Sequence, residues 1–376
     1  MYIQMFQDAF RFIWYDKAKM FGILFGIILS VFLIGQQVGI CFSLLDGLIS
    51  LARYNAQYIW VVSDKTQQVG ELPLIDMRIG RELVSIPGVR RVNPMVVTGG
   101  SAKFMDGTKA ALTLIGTQAP TFAGGPWNLV KGNPFKLLQE GAVTIDELDA
   151  ATLNNSRLGD RFELNGQRVV VVGQTRGARG LGVAYGFTTI ERARRLGNVS
   201  PNQASAFLVE WHSDVPARQV VDAINAEIPG IRAWEGQAFV DKTLQYVATT
   251  SGIVASFGLL VVFAVITGFA IVGLTMFSAV NDRLRDYGTV KAIGGSNGVI
   301  RRLILMQATI FAVVGFLIAY LLLYLFVQAT RDNLNIQLTP TLTASLVGVT
   351  FFISIISSLF AMRKITRLEP VQIFRI

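Results

Sequence analysis

Charge is scarce in this sequence. Only 16% of the 376 residues are Asp, Glu, Lys or Arg, and four long runs have none: 21–45, 253–279, 303–327 and 342–362. Cysteine and histidine are rarer still. Cys41 stands alone inside the first uncharged run, which excludes an internal disulfide and a thiolate metal site. His212 is the one histidine, so no cluster of imidazoles can hold a metal. No GxxxxGK[ST] stretch is present, so the chain lacks the phosphate-cradling loop of a P-loop ATPase. Gly294-Gly295-Ser296-Asn297-Gly298 matches the nucleophile elbow GxSxG, but that elbow needs a preceding strand and a histidine within hydrogen-bond reach. Helix-ending glycines followed by a capping serine explain it better.

What is abundant is apolar length. Each uncharged run exceeds the roughly 20 residues a helix needs to cross ~30 Å of hydrocarbon. The spacing is uneven, with some 200 mostly polar residues after the first run and short gaps thereafter. The fold expected is an α-helical membrane protein with four transmembrane helices and a large extracytoplasmic α/β domain between helices 1 and 2. In order, the expected segments are 1–19, an interfacial amphipathic helix; 20–45, helix 1; 46–250, the external domain with stalk extensions at both ends; 251–280, helix 2; 281–302, a cytoplasmic loop; 303–327, helix 3; 328–341, a short external loop; 342–362, helix 4; and 363–376, a cytoplasmic tail.

The net charge of +9 is a statement about orientation. Residues 46–250 hold 21 basic and 19 acidic side chains, close to neutral. Of the other 13 basic residues, 12 precede helix 1, join helices 2 and 3, or follow helix 4, and only Arg331 joins helices 3 and 4. By the positive-inside rule both termini and the 281–302 loop are cytoplasmic, and residues 46–250 lie outside a bacterial inner membrane. The basic balance then reads as contact with anionic lipid, not nucleic acid.

Helix 1 carries two GxxxG pairs, Gly22/Gly26 and Gly35/Gly39. Glycines four apart let helix backbones approach closely. The pairs fall on nearly opposite faces at ~100° per residue, so helix 1 suits two neighbours or a second copy of the chain.

The external segment contains an echo. A strand-like YIWVVS run leads to a helical stretch at 75–85, then Ile86-Pro87-Gly88 and a strand. Later AFLVEW leads to a helical stretch at 216–227, then Ile228-Pro229-Gly230 and a strand. Two β-α-β units thus flank a β-rich insertion at about 110–200, with Asn165-Gly166 as a hairpin turn. The glycine-rich stretch Arg176, Gly177, Arg179, Gly180 reads as a mobile hairpin tip and a possible contact loop for a partner. Asp146, Glu147 and Asp149 read as a solvated acidic face.

Residues 282–302 stand out. Tyr287, Val290 and Ile293 share one face of a short helix amid Arg283, Arg285, Asp286 and Lys291, a pattern suited to docking a soluble partner. Arg285-Asp286-Tyr287-Gly288-Thr289-Val290-Lys291-Ala292-Ile293-Gly294-Gly295-Ser296 resembles the cytoplasmic loop of FtsX-like and MacB-like ABC-transporter permeases, with Asp286 and Val290 as mild departures. The tyrosine-glycine version is closest to the DevC subgroup, in which the ATPase is a separate polypeptide. Arg367-Leu368-Glu369-Pro370-Val371 resembles the ending of these permeases, and Leu158-Gly159-Asp160 before a strand resembles their external domain.

The resemblance implies a non-catalytic permease subunit of the mechanotransmission type, serving efflux or export of an envelope or small-molecule substrate. No cofactor is expected in this chain; ATP and magnesium would be held by the partner ATPase. The implied ATPase interface is Arg283, Arg285, Asp286, Tyr287, Val290, Lys291, Ile293, Gly294 and Gly295. Further implied partners are a second copy of the chain, a periplasmic adaptor meeting Arg176, Gly177, Arg179 and Gly180, and an outer-membrane channel. Alternatives are extraction of lipoprotein or lipid from the inner membrane, and activation of an external cell-wall hydrolase.

Overall fold

The computed structural model describes residues 16–180, 182–292, 295–331, 334 and 336–366. The expected interfacial helix up to residue 15, Ile293, Gly294 and the 367–371 motif lie outside the described residues. The helices in chain order are α1 (Lys17–Arg53), α2 (Ile79–Ser85), α3 (Ile190–Gly197), α4 (Ala217–Glu227), α5 (Gly236–Thr250), α6 (Ile253–Asp282), α7 (Leu284–Ala292), α8 (Asn297–Thr330) and α9 (Pro340–Thr366). The strands are β1 (Ile59–Ser63), β2 (Ile75–Asp76), β3 (Val89–Lys103), β4 (Lys109–Thr117), β5 (Leu129–Gly132), β6 (Ala142–Asp146), β7 (Arg161–Leu164), β8 (Gln167–Thr175), β9 (Ala184–Thr189), β10 (Gln203–Ala204), β11 (Ala206–Trp211) and β12 (Ile231–Glu235). The chain divides into two compact units, one built on α6 to α9 with the first part of α1, the other spanning Phe42–Val254.

In the helical unit, α1, α6, α8 and α9 are each long and apolar enough to cross a membrane. Their seams are made by small residues. A methyl group added at Gly26 would stand 2.7 Å from Ile271 Cγ2 of α6. One added at Gly35, on the other side of α1, would stand 2.6 Å from Leu323 Cδ2 of α8 and 3.2 Å from Leu346 Cδ1 of α9. Gly22 faces Thr275 and Gly39 faces Ile336. All four glycines are therefore occupied by packing within the chain.

The second unit contains the intervening domain, and its two β-α-β units interleave. The sheet order β12-β1-β11-β3 is antiparallel throughout and places β1 between both strands of the later unit. This is the split β-α-β arrangement. It buries β1 on both faces. Ile59 and Val61 meet Leu83, Val220 and Ile224 beneath α2 and α4, while Trp60 and Val62 meet Leu208, Phe239 and the C-terminal end of α1. A two-sided core makes IWVVS a continuous apolar run without polar alternation.

The insertion extends the same sheet. β3 is 15 residues long; its first half pairs with β11 and its second half with β4. Beyond β4 the order is β9-β6-β8-β5, with β7 bridging β3 and β8. The β7–β8 hairpin turns at Asn165 (φ 49°) and Gly166 (φ 79°), the paired left-handed residues that a two-residue turn requires.

Three details differ from the sequence reading. The helix expected at 75–85 begins only at Ile79. Before it, Ile75 and Asp76 pair with β10, and Asp76 Oδ1 accepts the Arg78 N–H at 2.8 Å to turn the chain. The expected outward extension of helix 2 is the separate helix α5, because the chain breaks at Gly252, whose φ of +69° no continuous helix permits. The glycine-rich stretch does not join two paired strands, since β6 lies between β8 and β9; it turns locally, with Arg179 bridged antiparallel to Ala184 and Gly180 N–H donating to Val183 O at 3.0 Å.

Candidate functional site

Two sites proposed from sequence can be located. The first is α7, which follows α6 after a tight turn in which Arg283 N–H donates to Val280 O at 3.3 Å. Asp16 caps α1 by accepting the Lys19 N–H at 3.2 Å, and the Lys19 ammonium pairs with both Asp16 and Asp282. The end of α6 is thereby tied to the start of α1. The Lys19 N–H and ammonium hold Asp16 below the usual carboxylate range.

Tyr287 does not project from the molecule as the sequence reading required. It is 2% exposed, among Ile23, Met276, Val280 and Phe311. Tyr287 packs on the chain's own helices, so its ring anchors α7 to the bundle. Burial pushes the phenol up to about 12; Asp286 acts in the same direction, and Arg283 and a hydrogen bond with Gln307 offset it in part. Gln307, a polar side chain near the start of α8, thus has a partner inside the protein. Among the α7 residues whose side chains are described, Arg285, Asp286 and Thr289 are exposed; Gly288 is buried, and Arg283 just before the helix is half-buried. Gly295 follows in the connection to α8. Ser296 stands at the N-cap of α8 with extended backbone, yet its side chain makes no capping bond; its carbonyl accepts the Val299 N–H at 2.9 Å instead.

The second site is the glycine-rich loop, and the acidic cluster turns out to be its counterpart. β6 and β8 run parallel, with a register shift after Val143, and stay paired as far as Asp146 and Thr175, so the chain segments leaving both strands emerge side by side. Asp146 Oδ2 accepts from Ala178 N at 2.7 Å and from Thr175 Oγ1 at 3.0 Å. Arg179 Nε donates to Asp149 Oδ1 at 2.7 Å, and Arg176 pairs with Glu147. Asp146 and Asp149 are 0% and 4% exposed, which overturns the solvated face. Burial raises the Asp149 carboxyl against the pull of Arg179, with Asp146 adding to the rise.

The loop is also fixed to α1, because Ser50 Oγ donates to Arg179 O at 2.6 Å. Arg179 is therefore inward and engaged. Arg176 and Gly177 are the more open part of the loop, with Gly177 at φ +79°. Gly180 lies so close to the Tyr185 ring that a methyl group there would stand 2.5 Å from Cε1. The sequence showed the arginines and the acids separately; only the parallel pairing of β6 with β8 brings them together. No group of three or more His, Cys, Asp or Glu suited to a metal occurs among the described residues.

Four apolar helices with an α/β domain between the first and second, and a short charged helix between the second and third, define a membrane permease. The MacB-like periplasmic core domain model matches residues 20–227, more than half the chain, and the FtsX-like permease C-terminal model matches 257–370. The chain belongs to the MacB-like, FtsX-like family of ABC transporter permeases. An uncharacterized ABC transporter permease of Mycobacterium tuberculosis, found in two strains, is 26% identical over 315 residues, spanning 81% of this chain and 80% of the relative. The periplasmic region of MacB from Actinobacillus actinomycetemcomitans is 13% identical, with a TM-score of 0.39 over 52% of this chain and 94% of that one. The extracellular domain of the transporter YknZ from Gram-positive bacteria is 15% identical, with a TM-score of 0.37 over 47% of this chain and 98% of that one.

Proposed function

We propose that this chain is the non-catalytic subunit of a mechanotransmission transporter, in which α7 receives the motion of a separate cytoplasmic ATPase. The observation that carries the reading is the division of α7 into a buried anchor, Tyr287, and an exposed polar side that includes Arg285, Asp286 and Thr289. A helix held this way passes a push on its outer side into α6, α8 and α1 without a joint. ATP and magnesium belong to the partner. The cargo is an exported envelope or small-molecule substrate, moved by displacement of the intervening domain. A second copy of the chain, a periplasmic adaptor engaging Arg176 and Gly177, and an outer-membrane channel complete the assembly.

Charge reversal at Arg285 and Asp286 together should weaken co-purification with the cognate ATPase roughly tenfold or more, the equivalent of about 1.4 kcal/mol. Unchanged assembly and unchanged stimulation of ATP turnover would remove α7 from the interface. Orientation is tested with cysteines at Ser101 and Asn297 in a Cys41→Ser background. An impermeant thiol reagent added outside cells opened only at the outer membrane should label the first and not the second.

A further inference from the structure

The insertion carries a basic cleft that the transport reading does not use. It is open to solvent and lined by Arg161, Arg168, Arg192, Arg195, Gln167 and Glu140 among others. Two elements supply the arginines. Arg161 and Arg168 stand on the β7–β8 hairpin, where Glu163 is directly opposite Arg168. Arg192 and Arg195 are three apart on α3 and so share a face. None of the four arginines makes an ion pair with a carboxylate among the described residues.

Arg192 is the unusual member. It is 7% exposed, and its guanidinium is held by three carbonyls and a hydroxyl: Nη1 donates to Leu137 O at 3.0 Å, Ala142 O at 2.8 Å and Thr188 Oγ1 at 3.0 Å, and Nη2 to Gln139 O at 2.6 Å. Its Nε has no partner among the described residues. Burial first, and Arg195 second, lower its affinity for its proton, with Glu140 and Glu191 opposing. A buried cation beside a like charge and without a paired acid is unfavourable until an anion arrives.

We infer that this cleft binds a phosphate-type oxyanion. A carboxylate offers two oxygens, whereas a phosphate monoester offers three acceptor oxygens and nearly two charges, enough for arginines converging from a hairpin and a helix. A neighbouring cleft shares Arg161 and Arg168 and adds Lys103, Glu163 and Met105, the last 99% exposed, above the buried rings of Phe104 and Phe162. The oxyanion is therefore either free phosphate or the headgroup of an amphiphile whose apolar part rests on Met105.

The test uses the purified full chain in a neutral detergent, titrated calorimetrically with inorganic phosphate and with dihexanoyl phosphatidic acid below its micelle concentration; dihexanoyl phosphatidylcholine is the control. Binding of either anionic probe, weakened by added salt and reduced roughly tenfold or more in Arg161→Gln/Arg168→Gln but not in Arg90→Gln, supports the site. Tighter binding of phosphatidic acid than of phosphate assigns a lipid headgroup, and equal binding assigns free phosphate. No binding of either probe, or undiminished binding by the double variant, overturns it. If far-UV circular dichroism shows the double variant unfolded, Arg195→Gln decides by the same criterion. No ATPase takes part, so this result and the fate of the coupling reading are separable.

Discussion

The two units solve the problem of packing in opposite ways. In the helical unit the closest approaches are made by residues with almost no side chain: Gly26 against Ile271, Gly35 against Leu323, Gly315 against Ile27, and Gly268 against Ser30. In the intervening domain the largest fully buried side chains are aromatic, among them Trp60, Phe187, Phe207 and Phe239. Solvent explains the contrast. Water makes burial of a large apolar surface favourable, at ~25 cal/mol per Å². Lipid tails offer no such gain between helices, so close backbone approach and van der Waals contact must hold them. Close glycine approaches also occur in the domain, as at Gly116 against Ala193, so the contrast lies in aromatic bulk: the domain should fail by losing it, whereas the helices have less of it to lose and depend on the approaches themselves.

The largest effect expected is at Trp60, which is 0% exposed, rests against Phe239 and donates Nε1–H to Asn55 O at 3.1 Å. Trp60→Ala should destabilise the intervening domain by ~3–5 kcal/mol, measured by urea denaturation of the chain in detergent. A loss below about 1 kcal/mol would mean that this core is not held by aromatic bulk. Gly26→Leu comes next. Its side chain has nowhere to go against Ile271 and Val272, and overpacking should cost ~1–3 kcal/mol, seen as a lower melting temperature of the helical unit. Gly99→Ala, in the open on β3, should be nearly silent. Equal effects at both glycines would dissolve the distinction.

Tyr287→Phe sharpens the comparison where a polar group is buried in the helical unit. It keeps the ring and removes the hydroxyl that bonds Gln307, and should cost ~1 kcal/mol. Greater stability than wild type would show the hydroxyl to be a liability. The smallest expected effect is a slope in the domain. Burial raises the Asp149 carboxyl above 3.8, its ordinary value, so the folded state holds the proton more tightly than the unfolded chain. Its contribution is fully present below 3.8 and is lost as pH rises through the raised folded value. The stability of wild type relative to Asp149→Asn should therefore fall with rising pH across that window. A rise would mean that Arg179 outweighs burial.

What could be read in the sequence was whatever a local signal specifies. The four helices follow from uncharged length. The two β-α-β units follow from Ile-Pro-Gly punctuation, and Gly88 and Gly230 do sit at φ +89° and +79° where each strand restarts. The Asn165-Gly166 turn follows from its own chemistry. Lost were the pairings made at long range. Nothing near Tyr58 announces that β1 will lie between β11 and β12, some 150 residues away. Asp149 and Arg179 looked solvated because their partner strands are adjacent only in the sheet. Tyr287 was read as an anchor for a partner and is covered by the chain's own helices, because periodicity identifies an apolar face without saying whether the chain itself or a partner will cover it.

β3 has a consequence for how force passes through the intervening domain. Met95 pairs with Ala206 on one flank and Thr117 on the other, so a single strand serves both the split β-α-β lobe and the insertion. No linker separates them. A pull along the insertion loads the nine β3–β4 pairs, from Met95 with Thr117 to Lys103 with Lys109, in shear. Hydrogen bonds perpendicular to the strands resist such a load together, whereas a pull at one end would open them in sequence. The lobe and its insertion are thus joined through one unbroken strand, whose nine pairs resist a load along β3 together.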